Sequence, residues 1–165
     1  MRKKSEAVLT IAAIGLLSIF LWNTLQSNEP STQEFTLIDI EGNMFTLSDF
    51  GGKIVIVEFM ATWCGYCKQQ IYHFEDVWEK YGDKIIIIFV DVDPSESEET
   101  LRTFAKQFSY DEWIWARDTI NLAKSYEVTA IPKTIIIDQN GRLRYSHMGV
   151  TAASTLLGEI ESLLK

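Results

Sequence analysis

Only two cysteines occur in the 165 residues, which excludes a disulfide-stapled scaffold and a four-cysteine zinc site. Cations are scarce as well. Fifteen Lys and Arg face 23 Asp and Glu, and the first 27 residues hold three of those cations (Arg2, Lys3, Lys4) with one acid, Glu6. The remaining residues therefore carry 12 cations and 22 acids, a net charge of −10. A surface this acidic repels phosphate backbones, so no nucleic-acid partner is expected. Internal repeats and low-complexity tracts are absent too. What is present is the material of a core: 47% hydrophobic and 12% aromatic residues, at a length that suits one globular domain.

Behind Arg2, Lys3 and Lys4 runs an uncharged apolar stretch, Ala7 to Trp22. At the helical rise it spans about 24 Å, or about 28 Å if continued to Leu25, against a hydrocarbon core of about 30 Å. Trp22 to Ser27 offers no A-x-A-like cleavage pattern and no cysteine follows the run, so an uncleaved anchor is expected rather than a removed signal peptide or a lipoprotein. The basic start keeps that end cytoplasmic and puts the rest outside the cytoplasm; secretion after cleavage is the alternative. The expected organisation is a membrane anchor over 1–27, a linker with Pro30 over 28–34, and one domain over 35–165.

Within that domain, Phe35 to Ile40 and Met44 to Leu47 flank Glu41-Gly42-Asn43, a hairpin pattern. Ile54 to Met60, Ile85 to Val90 and Thr134 to Ile137 are strand-length apolar runs, as in strands covered on both faces. Leu101, Phe104, Ala105 and Phe108 repeat with helical period, and Ser95 to Glu98 has capping-box spacing before them. Asp118 is expected to cap a short helix through Leu122, Ala123 and Tyr126, and Thr151 a terminal helix bearing Leu156, Leu157, Ile160, Leu163 and Leu164. Asp138-Gln139-Asn140-Gly141 turns the third strand into a hairpin with Arg142 to His147. Alternation of strands and helices predicts an α/β fold, a central sheet with helices on both faces.

The cysteines stand in Trp63-Cys64-Gly65-Tyr66-Cys67-Lys68, directly after a buried strand. From Cys67, the residues Ile71, Phe74, Trp78 and Tyr81 mark one apolar helix face, which puts Cys67 on the buried stripe. Cys64 falls at the helix start, where unpaired N–H groups and the positive dipole end stabilise a thiolate. An exposed nucleophile, Cys64, beside a shielded resolving thiol, Cys67, is what thiol-disulfide exchange needs. A zinc site lacks further ligands, haem attachment needs histidine where Lys68 stands, and a structural bridge over so short a loop stabilises little. Glu58, inside the apolar run Ile54 to Met60, is either an acid at a strand edge turned to water or a buried carboxyl of raised pKa near Cys67. The second reading is favoured, with Glu58 taking the Cys67 proton.

The WCGYCK motif, Leu47 to Lys53, the Val128-Thr129-Ala130-Ile131-Pro132-Lys133-Thr134 segment and the closing IIIDQNGRL hairpin together resemble the thioredoxin superfamily. Within it they are most similar to the membrane-anchored TlpA/ResA-type thiol-disulfide oxidoreductases, a branch of the AhpC/TSA redoxin group. The resemblance covers roughly Phe35 to Lys165 and implies a thioredoxin-like fold with a helix-containing insertion between Asp91 and Trp115. It implies a redox-active Cys64–Cys67 disulfide and a cis-proline at Pro132, although X-Pro bonds in general are mostly trans. Ile131 would offer its backbone to an extended substrate, Trp63 would lie beside the active site, and Gly65 and Tyr66 would join them in contacting substrate. Tyr66 stands where many members have proline, and Gln70 where some have glutamate, which leaves Glu58 as the proton-relay candidate.

The expected activity is extracytoplasmic disulfide exchange with protein substrates, in the reducing direction, fed by a membrane electron-transfer partner and needing no metal or organic cofactor. Disulfide oxidase or isomerase action is the alternative. A peroxiredoxin would need a threonine at Ala61, three residues before Cys64. A copper(I) carrier would use the cysteines with His147 or Met148, which are more simply a hairpin surface residue and a core gap-filler.

Overall fold

The computed structural model describes residues 32–108 and 110–165. The anchor expected over 1–27 and most of the linker lie outside them. Among the described residues no helix is long and apolar enough to cross a membrane.

The domain opens with a small antiparallel hairpin, β1 (Thr36–Ile38) and β2 (Met44–Thr46), followed by a 3-10 turn, Leu47–Phe50. The Asp39 carboxylate accepts the N–H groups of Glu41 and Asn43 and so shapes the hairpin bend. Next come β3 (Ile54–Met60), α1 (Gly65–Tyr81) and β4 (Ile85–Asp91), then α2 (Glu98–Ala105), β5 (Ile114–Arg117) and the one-turn α3 (Leu122–Ser125). The chain closes with the hairpin β6 (Lys133–Ile137) and β7 (Leu143–Met148) and with α4 (Ala153–Leu163). The five-stranded sheet has the order β5-β4-β3-β6-β7, with β3, β4 and β5 parallel and β6 and β7 antiparallel to their neighbours. β3 is central and all seven of its residues are buried, which is why its sequence shows no polar alternation.

Successive β3 side chains enter opposite cores. Ile54, Ile56 and Met60 meet α1, α2 and α4 through Ile71, Phe74, Leu101, Leu156 and Ile160. Val55, Val57 and Phe59 meet Leu37 and Phe45 of the opening hairpin and Leu122 of α3. Helices lie on both faces, as expected, but unevenly: the three longer ones share one face, and the other is covered by the short α3 together with the hairpin and the 3-10 turn. A helical stripe shows that a face is buried without showing which side of the sheet it meets. The stretch from Asp91 to Trp115, expected as a helical insertion, also begins the edge strand β5, whose Trp115 stacks on Phe89 at 4.1 Å between ring centroids.

Two caps differ from expectation. Ser97, not Ser95, caps α2, accepting the Thr100 N–H at 3.1 Å, because Ser95 is held in a turn by Asp93. Thr151 does not cap α4. Its N–H and C=O are both taken by the Gln70 side chain, and Ala152 holds the N-cap position. Asp118 acts as expected, though from outside the formal cap at Asn121: its carboxylate accepts the Leu122 and Ala123 N–H groups at 2.7 and 2.9 Å.

Candidate active site

β3 delivers the chain through Ala61, Thr62 and Trp63 to Cys64, which occupies the N-cap of α1. Its backbone is extended and its Sγ accepts the Cys67 N–H at 3.1 Å, so one of the otherwise orphaned first-turn donors of the helix is satisfied by this sulfur. Cys64 and Cys67 form a disulfide with their Cα atoms 5.2 Å apart. Cys67 is fully buried on the stripe of Ile71 and Phe74, as its spacing predicts. Cys64, expected to be exposed, is only 6% exposed: bonded to Cys67, its sulfur is drawn onto the helix end and packs in the core. It remains the more accessible of the two.

Trp63 and Tyr66, at 67% and 70% exposure, stand out from the surface around this disulfide, and Gly65 between them is exposed. The Ile131–Pro132 peptide is cis, against the general trans preference and in line with the family resemblance. Pro132 is buried and its carbonyl accepts the Gly149 N–H at 2.8 Å, whereas Ile131 makes no backbone hydrogen bond among the described residues.

Glu58 is completely buried. Its strand is central, so the reading of an acid at a strand edge falls. Alternation puts it on the face with Ile56 and Met60, the face that α1 covers with Cys67. Thr134, its cross-strand partner on β6, donates Oγ1–H to Oε2 at 2.7 Å, and Oε1 has no hydrogen-bond partner among the described residues. Burial pushes the Glu58 carboxyl up to about 8, and the Thr134 hydrogen bond only partly opposes this.

Four residues around the motif were not foreseen as site residues. Thr62 donates its N–H to Glu96 at 2.9 Å and its hydroxyl to the same carboxylate, and the Trp63 indole N–H donates to Asp93 at 2.7 Å. Asp91, at the end of β4, is buried, and desolvation followed by the nearby Glu96 charge raises it to about 6. In sequence this acid-rich stretch has the composition of a solvated loop, and only its place directly after a buried strand hints otherwise.

Gln70, which the family resemblance sets at a place of glutamate in some members, is buried and uses both ends of its amide on Thr151. A glutamate could accept from the Thr151 N–H but could not donate to its carbonyl. His147 is held by Glu159 at 3.0 Å. Met148, read as a core gap-filler, is 53% exposed, because it is the last residue of the sheet's edge strand. Among the described residues no cluster of three or more His, Cys, Asp or Glu side chains is arranged to hold a metal ion.

A thioredoxin-like fold that presents a Cys-Gly-Tyr-Cys disulfide at the start of the helix after its central strand defines a class, the thioredoxin-fold thiol-disulfide oxidoreductases. The chain belongs to the AhpC/TSA family, whose model matches residues 30–146. It is 30% identical over 156 residues to the thioredoxin-like protein YneN of Bacillus subtilis, covering 90% of this chain and 91% of that one. It is 28% identical over 151 residues to the thiol-disulfide oxidoreductase ResA of Bacillus cereus, covering 86% and 87%. Among solved structures, a DsbE-type thiol:disulfide interchange protein of Chlorobium tepidum superposes with a TM-score of 0.73 at 26% identity, over 83% of this chain and 97% of that one.

Proposed function

We propose that the enzyme is an extracytoplasmic reductase of protein disulfides, tethered to the membrane through residues 1–27. The observation that carries the chemistry is Cys64 Sγ at the N-cap of α1, accepting a main-chain N–H where a thiolate is stabilised. In the reduced enzyme the Cys64 thiolate attacks one sulfur of a substrate disulfide and expels the other as a thiolate, which takes a proton. Cys67 then gives its proton to Glu58 and attacks Cys64 of the mixed disulfide. The substrate leaves as a dithiol and the Cys64–Cys67 disulfide remains. Two electrons and two protons pass to the substrate, one proton from solvent to the first expelled sulfur and one released by Glu58 to the second, and a membrane electron-transfer partner restores the dithiol.

The remaining assignments follow from exposure and hydrogen bonding. The unengaged backbone of Ile131 beside cis-Pro132 suits pairing with an extended segment of the substrate. Trp63, Gly65 and Tyr66 offer an exposed, partly aromatic surface next to the reacting sulfur. The raised pKa of Glu58 suits a group that must accept a proton near neutral pH and release it again. The basic start and the apolar run Ala7 to Trp22 support membrane attachment with the globular domain outside.

Replacement of the two cysteines tests the chemistry and the reduction potential tests the direction. Cys64→Ser is expected to abolish exchange, and Cys67→Ser to accumulate mixed disulfides with substrate, seen as reducible adducts on nonreducing gels. Turnover persisting in Cys64→Ser would end the assignment. Equilibrated against glutathione, the Cys64/Cys67 couple is expected near thioredoxin's value of about −270 mV; a value near DsbA's, about −120 mV, would reverse the direction to oxidation.

A further inference from the structure

Between β3 and Cys64, the N-cap of the catalytic helix, lie three residues, Ala61, Thr62 and Trp63, that belong to no strand or helix. Two of them are fastened to the segment after β4. Glu96 takes both donors of Thr62, its main-chain N–H at 2.9 Å and its hydroxyl, while Asp93 takes the Trp63 indole N–H at 2.7 Å. The segment that supplies these carboxylates is itself fixed. Val92 N–H reaches Met60 O at 2.9 Å, Asp91 accepts the Asp93 N–H at 3.0 Å, and Asp93 accepts both the N–H and the hydroxyl of Ser95. Ser97 then starts α2. The groups around the clamp are few: Asp91 and Asp93 on the same segment, and Arg117 from β5, whose Nε lies 3.9 Å from Asp91.

Electrostatics alone makes this arrangement adverse. A carboxylate bound to Thr62, two residues before the nucleophile, opposes formation of a thiolate there, and the neighbouring Asp91 adds a second acid. What Glu96 does supply is geometry, since each of its oxygens takes a donor of Thr62 on the approach to Cys64, while Asp91 contacts the same carboxylate from the end of β4. We propose that Glu96 is a positioning residue of the redox site, which holds Thr62 so that Cys64 sits at the N-cap of α1 with its sulfur on the Cys67 N–H. Asp93 braces the same approach at Trp63. This rests on the reading of Cys64 as the nucleophile. Misplacing a reacting group by an ångström can cost up to about 100-fold in rate, so a clamp on this linker has a large effect available to it.

The geometric and electrostatic roles of Glu96 predict opposite signs, and two variants of the full chain separate them. Glu96→Ala removes charge and clamp together. Glu96→Gln removes the charge but keeps an oxygen for the Thr62 N–H and an amide that can donate to the Thr62 hydroxyl. The measurement is the rate of Cys64 alkylation by iodoacetamide in the reduced protein as a function of pH, with Cys67 protected by burial. The positioning role predicts that Glu96→Ala is alkylated roughly fivefold more slowly at pH 7 with a higher apparent pKa, and that Glu96→Gln stays within about twofold of wild type. Acceleration of both variants, or equal profiles for all three proteins, would overturn it. If Glu96→Ala fails to fold, Thr62→Val removes the hydroxyl from the other side and is expected to slow alkylation in the same direction, and an unchanged or faster rate there would equally overturn it. Alkylation needs no disulfide substrate, so this result stands apart from any failure of the reductase reading, which Cys64→Ser turnover decides.

Discussion

Burying Glu58 costs the fold more as pH rises. Its carboxyl titrates at about 8 in the folded protein, against an ordinary value of 4.5, because it lies without solvent between β3 and α1. Below about 4.5 it is neutral in both folded and unfolded chains and contributes no penalty. Between the two values the native state holds a proton that the unfolded state has lost, so stability falls by about 1.4 kcal/mol per pH unit from this residue. Above 8 the loss levels off. Glu58→Gln removes the titration, and the urea stability of the oxidised full chain should therefore show a gap, variant minus wild type, that widens from pH 5 to pH 8 and is flat beyond; a gap independent of pH would mean that the carboxyl titrates normally. The same variant should slow resolution of the mixed disulfide by Cys67 more than attack by Cys64, read by single-turnover kinetics, and equal slowing of both steps would leave Glu58 a structural part only. At this scale the sequence shows a lone acid in an apolar run and no more. Its partner Thr134 is 76 positions away and becomes visible only once β3 and β6 are aligned.

Elements were more legible than the contacts that end them. The runs Ile54 to Met60 and Ile85 to Val90 are β3 and nearly all of β4, since a strand covered on both faces must be apolar throughout. The stripe from Cys67 to Tyr81 gives α1, and the Asp138 to Gly141 turn joins β6 to β7. β5 escaped notice because its four residues, Ile114–Arg117, follow a helix within a segment whose family resemblance suggested only an insertion. The caps escaped for a different reason: Ser95 and Ser97 both have plausible spacing, and the choice is made by Asp93, which captures the Ser95 hydroxyl at 2.6 Å. A differential follows for α2. Ser97→Ala should cost about 1 kcal/mol of global stability, the usual loss for an N-cap serine, while Ser95→Ala, which removes a surface contact, should cost roughly 0.5 kcal/mol or less. Urea midpoints of the two variants at constant m-value measure this, and equal losses would mean that Ser95 shares the capping.

For the whole molecule the dominant long-range quantity is charge. Outside the first 27 residues the chain carries −10, and three of those acids, Asp91, Asp93 and Glu96, lie close to the approach to Cys64. A field of that sign raises the local concentration of cationic disulfides and lowers that of anionic ones before any contact is made. Small disulfides of matched size isolate the effect: cystamine carries two positive charges, dithiodiglycolate two negative ones, and hydroxyethyl disulfide none. Their intrinsic reactivities differ because their leaving thiols differ in pKa, so the informative quantity is how each rate changes with salt. Screening shortens from about 30 Å at 0.01 M to about 3 Å at 1 M ionic strength. Across that range the oxidation rate of the reduced enzyme by cystamine should fall, that by dithiodiglycolate should rise, and that by the neutral compound should hold, with the cation-to-anion ratio dropping roughly tenfold. A ratio insensitive to salt would confine electrostatics to the contacts made within the site. Substrate choice would then rest on Trp63, Tyr66 and the Ile131 backbone rather than on the charge of the domain.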